Sequence, residues 1–272
     1  MLKRIITGAA LVIITVSFFF LRDITPVLFE IYILILSTLG AFEVARATGE
    51  KTTFLQKAAA VAVSAASVPA SWYYKGDGIL FVYGAGVLLQ LALLVIEYKK
   101  ATLEGVGLGL LGTFYPSFLL LFMTYANALT EYSLVAMILI FVISPFSDTF
   151  AYFIGCAFGK KKMCEEISPK KTIAGGIGGI VGGILGALGV WAIFSFAVDY
   201  NVPSVVYFII TGVVGSLLTE FGDLAESAFK RKIGIKDMGK ILPGHGGIMD
   251  RIDSILFTCP LVYACFALAV II

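Results

Sequence analysis

Apolar positions in this chain fall in long unbroken blocks, not in the alternating or three-to-four-residue steps of an element with one wet face. The blocks run roughly over 5–21, 26–42, 57–74, 78–97, 105–125, 133–155, 173–198, 204–221 and 254–272, and charged residues collect in the intervals between them. A bilayer core about 30 Å thick takes about 20 apolar residues of helix. The pattern therefore predicts an all-α, polytopic transmembrane helix bundle of about nine spans. The block 57–74 is rich in Ala and Ser and is the weakest of the nine. Lys3 and Arg4 ahead of the first block imitate a signal peptide, but that block ends in Phe18, Phe19, Phe20, Leu21, Arg22 and Asp23 with no small-residue cleavage site. It reads as a retained first helix.

Composition agrees. Of 272 residues, 59% are hydrophobic and 14% charged, too few polar groups to clothe a soluble globule, and neither disordered, collagen-like nor disulfide-stapled chains look like this. Cys156, Cys164, Cys259 and Cys265 have no CxxC spacing, and the one histidine is His245, so a zinc or redox role is not indicated. The net charge of +2 says little until the 20 basic residues are sorted by side. Nine spans put 18 of them on one face and only Arg22 and Lys75 on the other. By the positive-inside rule the amino terminus is cytoplasmic and the carboxyl terminus outside. Two cytoplasmic loops, 156–172 and 222–253, hold 11 of the 18.

The candidate chemistry sits in and beside those loops. If the eighth helix continues past Gly222, then Asp223, Ser227 and Lys230 share one face with Glu226 beside them: a hard-metal ligand, a hydroxyl and a phosphate-binding ammonium. Gly244, Gly246 and Gly247 around His245 bring bare backbone close to whatever the loop covers, and the next helix adds its dipole, which is an anion-binding arrangement. Asp250 and Asp253 lie one turn apart at the head of that helix, either as helix-start carboxylates or as partners of Asp223. Such oxygen donors suit Mg²⁺, which takes one or two carboxylates plus substrate phosphates. Asp148 lies inside the sixth span, where an acid is costly; it serves function or is satisfied by Ser144 or Tyr152. Ser168, Lys170, Lys171 and Thr172 at a helix start can grip a phosphate chain, although Gly155 to Lys160 lacks the spacing of a P-loop. Gly175, Gly179, Gly182, Gly186 and Gly189 recur every three to four residues, a small-residue face for close helix packing within the bundle or across a homodimer.

The run Ser227-x-Phe229-Lys230-Arg231, then Lys236-Asp237-x-Gly239, then Leu242-Pro243-Gly244-His245-Gly246-Gly247-x-x-Asp250-Arg251-x-Asp253 resembles the signature of CDP-diacylglycerol synthases, the phosphatidate cytidylyltransferases. Ser168 to Thr172 followed by paired glycines resembles the same family's second motif, with Ala174 where many members carry an acid or amide. The likeness is concentrated from about Asp148 onwards. It implies attack by phosphatidate on the α-phosphorus of CTP, giving CDP-diacylglycerol and pyrophosphate for phospholipid biosynthesis. It further implies one integral membrane domain over 1–272, with amino-terminal spans in 1–132 and a catalytic half in 133–272. Catalytic roles fall to Asp223, Ser227, Lys230, His245, Asp250, Arg251 and Asp253. Substrate-binding roles fall to Asp148, Ser168, Lys170, Lys171, Thr172, Arg231 and Lys236, and metal binding to Asp223 and Asp250. His245 also reads as a hydrogen bonder that orders its loop. One or two divalent ions, Mg²⁺ with a second of another type left open, are the expected cofactor. The partners are CTP, phosphatidate and membrane lipids, without nucleic acid, in a bacterial cytoplasmic (inner) membrane with the site facing the cytoplasm. A CTP-dependent lipid kinase and a secondary transporter are the rival readings. The Asp-Gly-x-x-Ala-Arg core of CDP-alcohol phosphotransferases is absent.

Overall fold

A backbone in hydrocarbon must satisfy its own N–H and C=O groups, so each long apolar block closes into a helix. The computed structural model describes residues 2–198 and 200–271, with the side chains of 2–4 and 74–76 left undescribed. The side chains of Lys3, Arg4 and Lys75 in the charge count thus lie outside the described part of the chain. In chain order the helices are α1 (Leu2–Ile24), α2 (Pro26–Ala47), α3 (Phe54–Ile96), α4 (Leu103–Asn127), α5 (Ser133–Phe158), α6 (Ile173–Phe196), α7 (Val205–Ile233) and α8 (Met249–Ile271). Pro26 opens α2, where its missing N–H costs nothing, and Thr53 starts α3 with a capping box closed by Gln56. Eight segments are long and apolar enough to cross a membrane.

The ninth predicted span is inside α3. This helix is 43 residues long, about twice what one crossing needs, yet its two ends meet. Thr53 donates its hydroxyl to Glu97. Gln90 Nε2 donates to the carbonyl of Gln56 at 2.9 Å, and a Cβ on Gly86 would lie 3.0 Å from Val63. Residue numbers rise on one side as they fall on the other, so α3 folds back on itself as two antiparallel arms. Only the second, Asp77–Ile96, meets the length and hydropathy of a span by itself; the first is the Ala/Ser-rich block.

The chain forms two interleaved compact units, Met1–Thr124 with Ile233–Arg251, and Tyr125–Lys232 with Ile252–Ile272. The first packs Phe29, Ile33 and Val44 of α2 into its core with Ala60 of α3. A polar seam runs through it, with Tyr83 and Ser117 hydroxyls 2.8 Å apart. The second is built on glycine. Cβ atoms on Gly178, Gly182 and Gly186 would strike Ile154, Phe150 and Phe146 of α5, and one on Gly183 would strike Ser216 and Gly212 of α7. The small-residue stripe of α6 is therefore an intramolecular packing face, and of its glycines only Gly189 has open space beside it.

One element lies outside the all-α expectation. Residues 162–172 form a short antiparallel hairpin of β1 (Lys162–Cys164) and β2 (Ser168–Thr172), pairing Lys162 with Thr172 and Cys164 with Ser168. It leads directly into α6, and Thr172 is the helix N-cap, accepting from Gly175 N at 3.1 Å.

Candidate active site

In the second unit, α7 does continue past Gly222, to Ile233. A Cβ on Gly222 would lie 2.7 Å from the carbonyl oxygen of Asp253, so the bare glycine is what lets α8 pass close beside Asp223. The face that results carries Glu220, Asp223, Glu226, Ser227 and Lys230. Lys171, arriving from β2, places its ammonium between two of these carboxylates, 2.6 Å from Glu220 Oε2 and 2.7 Å from Asp223 Oδ2. Burial alone would lower the pKa of this lysine, but Asp223 and then Glu220 outweigh it and hold the group above its ordinary 10.5. Ser227 Oγ donates to Asp223 Oδ1 at 3.4 Å, and Lys230 Nζ donates to the fully buried Glu226 at 2.7 Å. Asp253 accepts from the N–H of Ser254 at 2.8 Å and lies against Glu226.

A cavity of about 440 Å³ opens beside this cluster, and Asp148, Lys170, Lys171, Thr172 and Glu220 contribute its polar wall. Asp148 lines this cavity within electrostatic range of Lys171. Ala151, Tyr152, Gly155 and Gly176 supply an apolar wall from α5 and α6. Ser168 and Lys170 sit on the hairpin strand, and Arg231 reaches back from α7 to the hairpin turn, 3.4 Å from the carbonyl of Ile167. Four of the proposed phosphate groups thus have other partners: Thr172 caps α6, Lys171 and Lys230 pair with acids, and Arg231 meets a carbonyl. Lys170 is exposed.

In the first unit, Lys236, Lys240, His245 and Arg251 line a second cavity of about 570 Å³ over the glycine loop. Gly244 and Gly246 have φ of 79° and 84°, a left-handed backbone that a side chain would strain. Within the loop the N–H of His245 donates to Leu242 O and that of Leu242 to Gly246 O, both at 2.9 Å. Asp250 Oδ2 accepts from Gly247 N at 2.8 Å and Met238 N at 3.0 Å. The loop is therefore ordered by its backbone and by Asp250. His245 Nδ1 is buried and, among the described residues, has no hydrogen-bond partner. Thr7 of α1 donates to Pro243 O at 3.0 Å.

Two acids escaped the sequence reading. Glu220 lies three residues before Asp223, and that spacing on a continuing helix was the available signal. Glu43, near the end of α2, is fully buried and accepts from the N–H of Met249 at 2.9 Å. Nothing local announces it. Among the described residues, no three His, Cys, Asp or Glu side chains converge as a metal-holding group. The oxygen donors fit a hard divalent ion in part: Asp223 already presents its carboxylate to a cation, that of Lys171, while Asp250 Oδ2 is taken by two N–H groups.

Comparison with known proteins covers nearly the whole chain. A family model described as the cytidylyltransferase family matches residues 2–269. A phosphatidate cytidylyltransferase of Bacillus subtilis (strain 168) is 34% identical over 272 residues, 98% of either chain. One from Brucella abortus is 32% identical over 68% of either chain, and one from Staphylococcus saprophyticus is 43% identical over 45% of either.

Proposed function

The chain belongs to the cytidylyltransferase family, and with that as premise we infer how its residues serve CTP-dependent formation of CDP-diacylglycerol in a membrane. A phosphatidate oxygen forms a bond to the α-phosphorus of CTP, the bond from that phosphorus to the β-phosphate bridging oxygen breaks, and pyrophosphate leaves with its electron pair. The attacking phosphomonoester oxygen is already anionic at neutral pH, so no strong base is required. What the protein must supply is charge screening, alignment and stabilisation of the leaving group.

The observation that carries the reading is the loop cavity walled by Lys236, Lys240, His245 and Arg251 on a glycine backbone, which suits a nucleotide polyphosphate. The other cavity has one polar wall and one wall of membrane helix, which suits a lipid phosphate whose acyl chains stay in the bilayer. Lys170 meets that phosphate directly, with Ser168 beside it on the same strand. Lys171 bridges Glu220 and Asp223 and offsets one of their two charges, and Asp148 orients Lys171. Ser227, Lys230 and Asp253 keep the α7 acids in place, and Arg231 holds the hairpin that presents Lys170. We further propose that the reaction is metal-dependent, with Mg²⁺ in one or two sites at Asp223 and Asp250 and a second ion of another type admitted. When bound, such an ion neutralises phosphate charge. The same reading puts the site on the cytoplasmic side of a bacterial inner membrane. A homodimer through small-residue helix faces has, on α6, only the surface at Gly189 left to use.

The test is incubation of detergent-purified protein with phosphatidate, CTP labelled on cytosine, and Mg²⁺. Cytidine-labelled lipid with release of pyrophosphate is expected. Release of CDP with a phosphorylated lipid would instead indicate a lipid kinase, and substrate flux in liposomes without nucleotide a transporter. No labelled lipid across several metals and lipids would overturn the reading.

A further inference from the structure

The glycine loop must keep bare backbone beside a cationic cavity without regular secondary structure, and one of its anchors lies far outside the signature. Glu43 is fully buried. Its Oε2 accepts the N–H of Met249 at 2.9 Å, and the backbone of Ile248 also approaches the carboxylate. Gly239 and Gly247 meet over it: a Cβ on either would overlap the Glu43 oxygens, and a Cβ on Gly239 would lie 2.9 Å from the Cα of Gly247. Neither glycine has a positive φ, unlike Gly244 and Gly246. They are glycine for space, and Glu43 fills that space. Oε1 is buried with no hydrogen-bond partner among the described residues, a costly placement that an apolar side chain would avoid.

We propose that Glu43 is a positioning residue for the polyphosphate cavity, setting the height of the Met238–Asp250 loop through Met249 and through its fit between Gly239 and Gly247. It acts as an acceptor of fixed length. This rests on the functional reading above, in which that cavity takes CTP.

The experiment uses the full purified chain with hydrogen–deuterium exchange over 238–250, thermal midpoints, and separate KM values for CTP and phosphatidate. Glu43→Ala should raise the KM for CTP about tenfold, the size of losing one buried acceptor, with the KM for phosphatidate changed by less than about threefold. Exchange should speed up within 238–250 and not in α6 or α7. Glu43→Gln, which keeps an acceptor at the same length, should stay near wild type. Should Glu43→Ala fail to fold, Gly247→Ala in the wild-type and Glu43→Asp backgrounds decides: the alanine should lower the midpoint less where the carboxylate is shorter. Unchanged exchange and CTP KM in Glu43→Ala, equal damage from Glu43→Gln and Glu43→Ala, or strict additivity of Gly247→Ala with Glu43→Asp would each overturn the proposal. A wild-type protein that makes no labelled lipid would remove the functional reading, while the exchange and midpoint measurements would still test the anchor.

Discussion

Lys171 faces two carboxylates with one charge, and its raised pKa has a definite sign. A group raised above its ordinary 10.5 stabilises the fold fully below that value and loses its contribution only as pH climbs beyond it. Lys171→Met should therefore destabilise the fold equally at about pH 7 and about pH 9, by about 1–3 kcal/mol given the partial exposure of the cluster, as read from thermal unfolding. A loss that shrinks markedly between those two values would show that the ammonium titrates there. For the proposed metal carriers, Asp223→Asn and Asp250→Asn keep an acceptor and most of the shape, so each should preserve folding while turnover falls about hundredfold or more. Near-normal turnover of either folded variant removes that residue from the metal proposal. Asp148, Lys171 and Asp223 were legible in the sequence because an ionised group in or beside an apolar block is too costly to persist without a role. Glu43 was not, because an acid near a helix end reads as a topology marker. The bond that gives it a role spans 206 residues, and that of Glu220 to Lys171 spans 49.

Among elements, α6 depends on both its start and its glycines. Thr172→Ala removes the N-cap and should cost about 1 kcal/mol, recovered by Thr172→Ser, as read from thermal unfolding in detergent. Equal stability of the alanine and serine variants would mean that the cap contributes nothing. Gly183→Ala puts a methyl group against Ser216 and 2.9 Å from the carbonyl of Gly212, which should cost about 1–3 kcal/mol. Ser216→Ala in that background should recover part of the loss by removing the hydroxyl in the way, whereas purely additive losses would place the two helices farther apart than described. The glycine repeat was visible in the sequence as a packing face, but its partners, α5 and α7, are tertiary information that periodicity does not contain. The hairpin over 162–172 was missed for a different reason: Pro169 and three lysines give it no apolar alternation, and it persists as the short lead-in to a capped helix.

For the whole molecule the number of crossings decides which side each terminus occupies, and that number turns on the first arm of α3. Taken as one straight helix, α3 would be about 65 Å long and would overrun the bilayer. Folded back, its arms are about 30 Å each, long enough for two crossings. An Ala/Ser-rich arm can still cross, because Gln56 and Ser64 are fully buried and only its outer face needs to be apolar. We propose that all nine cross, which would place the termini on opposite sides with the amino terminus inside, as the split of 18 basic residues against 2 predicts. The native thiols can report this. Cys259 and Cys265 are buried, Cys156 is exposed and is replaced by serine for this test, and Cys164 lies partly exposed on β1 in one of the two basic loops. A membrane-impermeant maleimide should label Cys164 in inverted vesicles and not in intact cells. A reporter active only outside the membrane should be silent when fused ahead of Met1 and should work when fused after Ile272. If the amino-terminal fusion is active while Cys164 still labels from the inside alone, both termini lie outside, the first arm of α3 does not cross, and the protein has eight spans.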